Sequence, residues 1–260
     1  MIETVDVATA RKRSGLRLVL SAGVPGPWGE AARGLLQAKG LSYARVRQAP
    51  GLANDELEAW TGYANAPQLI YNDEPARCSS SELIFLLERV CPDTPLIPTD
   101  SEMRATMFGF IHELAGEMGF GWSRRLMMLH SSAQLPPEMT APMREILDRL
   151  NERYGYSPEN AAKAPERVSQ ILRMLSKHLL SQQERGSRFF LGKHLTALDV
   201  YWAAFAALLE PLPEAVCAMP SGLRSQYHVT DKKVRVEGDS ILLDHRNYIY
   251  EKVLELPIDL

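Results

Sequence analysis

Three prolines near residue 95 divide the chain into two parts whose apolar residues follow different patterns. Pro92, Pro95 and Pro98 fall within seven residues, and because proline breaks both helices and strands, this stretch predicts a linker. Before it, short apolar runs alternate between strand and helix spacing, and after it almost every segment has helical spacing. We therefore predict four parts: a flexible N-terminal tail over residues 1–15, an α/β domain over 16–92, a linker over 93–101 and an all-helical domain over 102–260.

The first of the two domains has the element order of a small α/β unit. Leu16–Leu20 is an apolar run of strand length, Ala31–Lys39 has apolar residues at helical spacing, and Leu41–Val46 alternates with period two. Gln68–Tyr71 predicts a further strand in a hairpin. Ser79–Glu82 is a capping box, which predicts that a helix begins there.

The second domain is predicted to be helical throughout, with segments at Met103–Leu129, Met143–Tyr154, Val168–Leu180, Val200–Leu209 and Asp239–Leu254. Val200–Leu209 is apolar nearly all round, so we expect a buried central helix. Thr196 can cap this helix, and Asp199 can reach back to the Thr196 amide, as in a capping box.

Composition and charge exclude several classes of function. Hydrophobic residues make up 45% of the chain and charged residues 23%, which is typical of a soluble globular protein. A net charge of −3 provides no basic field for nucleic acid or an anionic membrane. The three cysteines form no CxxC pair and favour a reducing, cytoplasmic location. None of the six histidines has metal-ligand spacing, so we expect no metal site.

Two features of the α/β domain point to a peptide-like ligand. Ala66-Pro67, just before a predicted strand, is a candidate cis bond that would leave the Ala66 backbone open to a ligand; an ordinary turn is the alternative. The hydroxyls of Ser79, Ser80 and Ser81 at a helix start would suit a carboxylate, with simple capping as the alternative. Together they predict an edge that binds an extended peptide and its terminal carboxylate.

Five stretches, in this order and at about this spacing, resemble the glutathione transferases: Gly26-Pro27-Trp28, Lys39-Gly40-Leu41, Asn65–Leu69, Ser79–Ile84 and Leu191–Asp199. The last resembles the family's helix-start motif, with Leu198 in place of a small residue. The resemblance covers roughly residues 16–209. It implies a thioredoxin-like N-terminal domain, an all-helical C-terminal domain, glutathione as co-substrate and a homodimer.

The resemblance also implies roles for individual residues. Ala66, before Pro67, would pair its backbone with the cysteinyl unit of glutathione. Ser80 would bind the γ-glutamyl carboxylate, while Ser79 stands where the family usually has an acidic residue. The turn around Trp28 lacks the hydroxyl or thiol that some classes place beside the glutathione sulfur. Ser21, or the bare amides of the helix that begins near Trp28, would then stabilise the thiolate.

An apolar stripe in the helical domain could bind a hydrophobic second substrate or belong to the core: Met107, Phe108, Ile111, Phe120, Trp122, Met127 and Met128. The predicted function is a glutathione-dependent transferase, or an isomerase or lyase on the same site, that presents the thiolate to a hydrophobic electrophile. The alternative is a non-catalytic binding or interaction protein that retains the fold.

Overall fold

A computed structural model describes residues 2–231, 234–235 and 240–260. Its sheet has four strands in the order β1-β3-β2-β4. They are β1 (Thr4–Val5), β2 (Leu16–Ser21), β3 (Ala44–Gln48) and β4 (Gln68–Tyr71). β3 is parallel to both β1 and β2, whereas β4 is antiparallel to β2. A single antiparallel bridge between Leu69 and Arg77 closes the hairpin that the sequence predicts.

Four helices belong to this domain: α1 (Val7–Arg11), α2 (Pro27–Ala38), α3 (Asp55–Thr61) and α4 (Ser80–Val90). Leu18 and Leu20 of β2 belong to the same buried cluster as residues of α2 and α4. Val19, between them, faces the other side, with Ala10 of α1 and Leu57 of α3. Because both faces of β2 are buried, its sequence is mostly apolar rather than alternating, and Arg17 is buried with it.

The predicted flexible tail is wrong. Thr4 and Val5 pair with Arg45 and Val46 of β3, and the Asp6 side chain caps α1 by accepting from the Thr9 amide. The segment is ordered by tertiary contacts. β1 hydrogen-bonds to the edge of β3, and α1 packs on the apolar face of the sheet and buries it. A two-residue strand and a five-residue helix are too short to show a hydrophobic period.

The second domain contains eight helices among the described residues: α5 (Ser101–Ala115), α6 (Phe120–Ala133), α7 (Pro137–Thr140), α8 (Arg144–Tyr154), α9 (Pro158–Glu184), α10 (Ala197–Phe205), α11 (Ser221–Tyr227) and α12 (Ser240–Lys252). Residues 141–143 and 206–208 form 3₁₀ turns. The predicted helix Val168–Leu180 is the middle of the longer α9. Asp239, the predicted first residue of the last helix, lies outside the described residues.

The single helix predicted for Met103–Leu129 is wrong, because α5 ends at Ala115 and α6 begins at Phe120. Between them Met118 has a left-handed φ of 60°. A Cβ on Gly119 would lie 2.6 Å from the Glu113 carbonyl oxygen, so the chain can fold back here only with glycine. The apolar spacing continues across the break because both helices pack against the same core.

α10 is the predicted central helix, and all nine of its residues are buried. Its capping box is confirmed: the Asp199 carboxylate accepts from the Thr196 amide and hydroxyl, both at 2.8 Å. α10 packs directly on α2 and thereby joins the two domains. A Cβ on Gly34 of α2 would lie only 2.8 Å from Val200, so this close approach requires glycine. Within the described ranges, no helix combines the length and apolar character needed to cross a membrane.

Candidate functional site

The start of α2 supplies backbone donors at one end of the sheet. Gly26 precedes the helix and has no side chain to cap it, and Pro27 has no amide hydrogen. The amides of Trp28 and Gly29 therefore have no acceptor inside the helix. The first helical hydrogen bond is that of the Glu30 amide to Gly26 at 2.9 Å. Free amides and the positive end of the helix dipole favour an anion at this point.

Ser21 ends β2 beside this helix start, and its hydroxyl has a fixed partner. It donates to Gln48 Oε1 at 2.9 Å. Gln48 is held in that orientation because its Nε2 donates to the Ala49 and Ala64 carbonyls, at 2.9 and 3.1 Å. The Ser21 oxygen can still accept a hydrogen bond, but its proton is committed to Gln48.

Trp28 packs between the two domains. Its indole nitrogen donates to the Ala115 carbonyl at 2.8 Å, and its ring meets Phe205 edge-on at 5.1 Å between centroids. A Cβ on Gly121 would lie 2.9 Å from the Trp28 ring, so α6 comes into direct contact with it. The indole N–H is therefore used for the domain contact, and Trp28 contributes its backbone amide and ring to the site.

Ala66 lies on the wall of the same cavity as Ser21 and Trp28. The Ala66-Pro67 bond is cis, which confirms the prediction. Gln68 holds this loop in place, since its Nε2 donates to the Tyr63 and Asn65 carbonyls at 2.8 and 2.6 Å. The structure thus brings together three of the predicted site residues from three separate stretches of the chain.

Charged side chains also line this cavity. They include Arg45 and Arg47 of β3 and Asp259, which is followed by Leu260 in the same lining. Asp259 forms an ion pair with Arg45 at 2.9 Å, and its segment is held by a hydrogen bond from the Ile258 amide to the Val216 carbonyl. The cavity holds about 50 Å³, much less than the roughly 300 Å³ of a small ligand pocket. Sequence reasoning missed these residues, because nothing in the local pattern brings residue 259 to a strand near residue 45.

No protein-family model and no curated protein matches the chain, but solved structures do. A glutathione transferase family member from Pseudomonas fluorescens Pf-5, with two glutathione molecules bound, is 12% identical with a TM-score of 0.64, covering 96% of this chain and 98% of that one. A glutathione S-transferase from Methylobacillus flagellatus, with glutathione bound, is 14% identical with a TM-score of 0.62, covering 92% and 96%. The β-etherase LigF from Sphingobium is 18% identical with a TM-score of 0.57, covering 90% and 99%.

The fold is that of the glutathione transferases. The expected fold class, a thioredoxin-like domain followed by an all-helical domain, is thereby confirmed.

The two serines at the start of α4 are the predicted carboxylate site of this glutathione transferase fold. Ser79 is the N-cap, and its hydroxyl donates to the Glu82 carboxylate at 2.7 Å in the predicted capping box. The Ser80 hydroxyl hydrogen-bonds Tyr201 of α10; burial raises the pKa of Tyr201 to about 12, and the bond to Ser80 acts against that rise. Neither serine lines the cavity that holds Ser21 and Ala66.

Helix α8 lies across the loops around the site. Ile146 touches Gly51, which lies in the loop between β3 and α3. A Cβ on Gly51 would lie 2.5 Å from the Ile146 side chain. Tyr154, the last residue of α8, lies 6.3 Å from Trp28 between ring centroids. Burial and the Glu82 carboxylate raise the pKa of the Cys78 thiol to about 11. The positive charge of Arg153, also in α8, opposes that rise. The sequence predicts this helix but not where it packs.

The apolar stripe is mainly core. Met107, Ile111, Phe120 and Met128 are buried in the main cluster, which confirms the core interpretation for these four. Phe108 stacks on the exposed Phe85 at 5.0 Å, on the side of α4 and α5. Only Trp122 of this stripe reaches the aromatic group near Trp28, through its edge contact with Tyr154 at 4.8 Å. No group of three or more His, Cys, Asp or Glu side chains among the described residues could hold a metal ion.

Proposed function

We propose that this protein binds glutathione and activates its thiol for transfer to a second substrate. The observation that carries this proposal is the shared cavity of Trp28, Ala66 and Ser21 at the uncapped start of α2. It is supported by the fold, since two of the similar structures hold glutathione. On this proposal Ala66, before the cis Pro67, pairs its backbone with the cysteinyl unit of the tripeptide.

The γ-glutamyl end would then lie at the start of α4. The carboxylate would be held by the free amides of the first turn and by Ser80, which would share its hydroxyl with Tyr201. Ser79 would contribute chiefly through the capping box, because its hydroxyl already donates to Glu82. The ammonium group of glutathione would be left facing the Ser79–Glu82 pair, whose carboxylate is the nearby negative charge.

Activation of the thiol would rest on the α2 amides. The thiol loses its proton to solvent, and the amides of Trp28 and Gly29 then donate to the thiolate. Ser21 would donate only after giving up its bond to Gln48, so we assign it a supporting role. In the transfer step, the sulfur forms a bond to an electrophilic carbon and the leaving group departs with its bonding electrons. Positioning and thiolate stabilisation would supply most of the catalysis.

The second substrate would be a small hydrophobic molecule that approaches between Trp28, Trp122 and Tyr154. This aromatic group offers apolar surface beside the proposed position of the sulfur. A transferase, an isomerase or a lyase could use the same surface, since the second substrate decides the reaction. The free state of Cys78, Cys91 and Cys217 supports a cytoplasmic location.

We also propose a homodimer that buries the outer face of α4 and α5. Phe85 is 44% exposed and stacks on Phe108, while the guanidinium of Arg104 lies over both rings at 5.3 and 5.8 Å. An exposed aromatic pair of this kind is typical of an interface. Phe85→Asp is expected to yield monomers in analytical ultracentrifugation, whereas Leu180→Asp on α9 should leave the oligomeric state unchanged.

A non-catalytic binding protein remains the second candidate, favoured by the small cavity and by the committed Ser21 proton. Three measurements with added glutathione separate the transferase from the binding protein. They are calorimetric titration, tryptophan fluorescence and the ultraviolet absorbance of the thiolate. We expect saturable binding, a fluorescence change lost in Trp28→Phe, and a thiol pKa well below the ordinary value of about 8.5. Binding with an unshifted thiol pKa would favour the binding protein, and a flat titration would overturn glutathione binding and leave the fold as a scaffold for interactions.

A further inference from the structure

Arg125 of α6 carries its charge among aromatic rings at the domain boundary. Its guanidinium lies 5.9 Å from the ring centre of Trp28 and 5.5 Å from that of Tyr227. Its Nη2 donates to the Tyr227 hydroxyl at 3.3 Å, and the Tyr154 hydroxyl is a second hydrogen-bond partner. Three aromatic side chains therefore hold this guanidinium in one place.

This charge has no carboxylate partner among the described residues. Its neighbour Arg124, which is buried, donates to the backbone carbonyls of Leu208, Gln226 and Tyr227. Two adjacent guanidinium groups thus lie beside each other with only neutral acceptors. Enclosing positive charge without a counter-ion is costly, and the cost falls when an anion binds nearby.

Tyr227 places this charge near the start of α2. Its hydroxyl, which accepts from Arg125, donates to the Pro25 carbonyl at 3.4 Å. Pro25 lies in the turn that leads into Trp28, whose free amide is the proposed thiolate donor. The Trp28 ring then lies under the guanidinium itself. The guanidinium therefore reaches the turn that leads to the free amides through Tyr227 and through the Trp28 ring, although it does not line the cavity itself.

We propose that Arg125 is the cation that stabilises the glutathione thiolate, in place of the hydroxyl or thiol that the Gly26–Gly29 turn lacks. This inference rests on the proposed function. A positive charge on this side of the turn favours the thiolate through space, and partial exclusion of water strengthens the effect. Arg125 is assigned as an electrostatic, positioning residue that acts across the domain boundary.

The test is the thiol pKa of bound glutathione, measured from thiolate absorbance as pH is varied. Arg125→Gln is expected to raise it by about one pH unit relative to wild type, which is about a tenfold change in the ionisation constant of the thiol. Arg125→Lys should retain most of the shift. The matched control is Arg188→Gln, because Arg188 also lies over a ring, that of Tyr248 at 5.2 Å, but at a distant surface.

Each outcome decides the inference. A raised pKa in Arg125→Gln but not in Arg188→Gln supports it. An unchanged pKa in Arg125→Gln that still binds glutathione overturns it while leaving the proposed function intact, and so does an equal rise in Arg125→Lys. Tyr227→Phe keeps the ring and the Arg125 charge, and it serves if Arg125→Gln folds poorly. We expect it to raise the thiol pKa by less than Arg125→Gln does. An unchanged thiol pKa in this variant counts against the inference. If the wild-type protein shows no calorimetric binding, the proposed function and this inference fail together.

Discussion

Asp259 pairs with Arg45 in the lining of the cavity at the start of α2. The two side chains meet at 2.9 Å, yet the Arg45 side chain is only 4% exposed and that of Asp259 is 74% exposed. Asp259 is therefore the solvent-facing member of a pair whose other member is buried. The cavity beside this pair is shared with Ser21, Trp28 and Ala66.

Removing the Asp259 charge should strengthen glutathione binding. Asp259→Asn loosens the segment that narrows the cavity and leaves Arg45 free for an anionic ligand. We expect the Kd to fall about three-fold, the scale of an exposed ion pair. The measurement is calorimetric titration with glutathione. Glu255→Gln, four residues earlier and in contact with Gln37 rather than the cavity, is the control. Equal affinities for wild type and Asp259→Asn would contradict this prediction.

The same pair predicts a pH dependence. Hydrogen bonding to Arg45 holds the pKa of Asp259 below its ordinary value. The ion pair is therefore complete above the ordinary carboxyl pKa and is lost as pH falls through the lowered value. The difference in affinity between wild type and Asp259→Asn should be constant near neutral pH and disappear only in strong acid. A difference that disappears at pH 6 would show that another group is responsible.

Ser21→Ala should change activation of the thiol very little. The Ser21 proton is bonded to Gln48, so its loss removes no donor from the sulfur. We expect the rate with a hydrophobic electrophile to stay within about three-fold of wild type, against the hundred-fold or larger loss typical of an essential donor. Gln48→Leu, which frees the Ser21 hydroxyl, provides the matched comparison. A collapse in rate for Ser21→Ala alone would restore Ser21 as the thiolate donor.

Cys78 should react slowly with thiol reagents, although it lies next to Ser79. Burial is the main cause that raises its pKa to about 11, so only about one thiol in a thousand is ionised at pH 8. Its alkylation rate, followed by mass spectrometry, should rise about tenfold per pH unit from pH 7 to 10. Arg153→Gln should slow it further, because Arg153 lowers this pKa. Rapid labelling at pH 7 would refute this environment.

Gly34→Ala should destabilise the protein at the contact between α2 and α10. The added methyl would lie 2.8 Å from Val200 and 3.1 Å from Leu254. We expect the free energy of unfolding to fall by about 1–3 kcal/mol in urea titrations, the usual cost of overpacking. Gly109→Ala in α5 is the control: its methyl would meet nothing within 4 Å. Alanine at position 109 should raise the free energy of unfolding by up to about 1 kcal/mol. Equal effects at both positions would rule out the close approach.

Local patterns were sufficient wherever one short stretch carried the whole signal. The capping boxes at Ser79 and Thr196 depend on residues three apart, which the sequence displays directly. The apolar run Val200–Leu209 predicted a buried helix, and the five family-like stretches predicted the order of the two domains. The cis Ala66-Pro67 bond also followed from such a stretch.

Tertiary structure decided how these stretches meet and what their side chains are free to do. The resemblance predicted Ser21 and Trp28 beside the glutathione sulfur, but only the packing of Gln48 and Ala115 against them decided which of their donors are already used. The same holds for the pairing of Asp259 with Arg45, more than 200 residues apart. Hydrogen bonds and ion pairs between distant segments leave no periodic trace in a sequence, because periodicity records only which face of an element is buried.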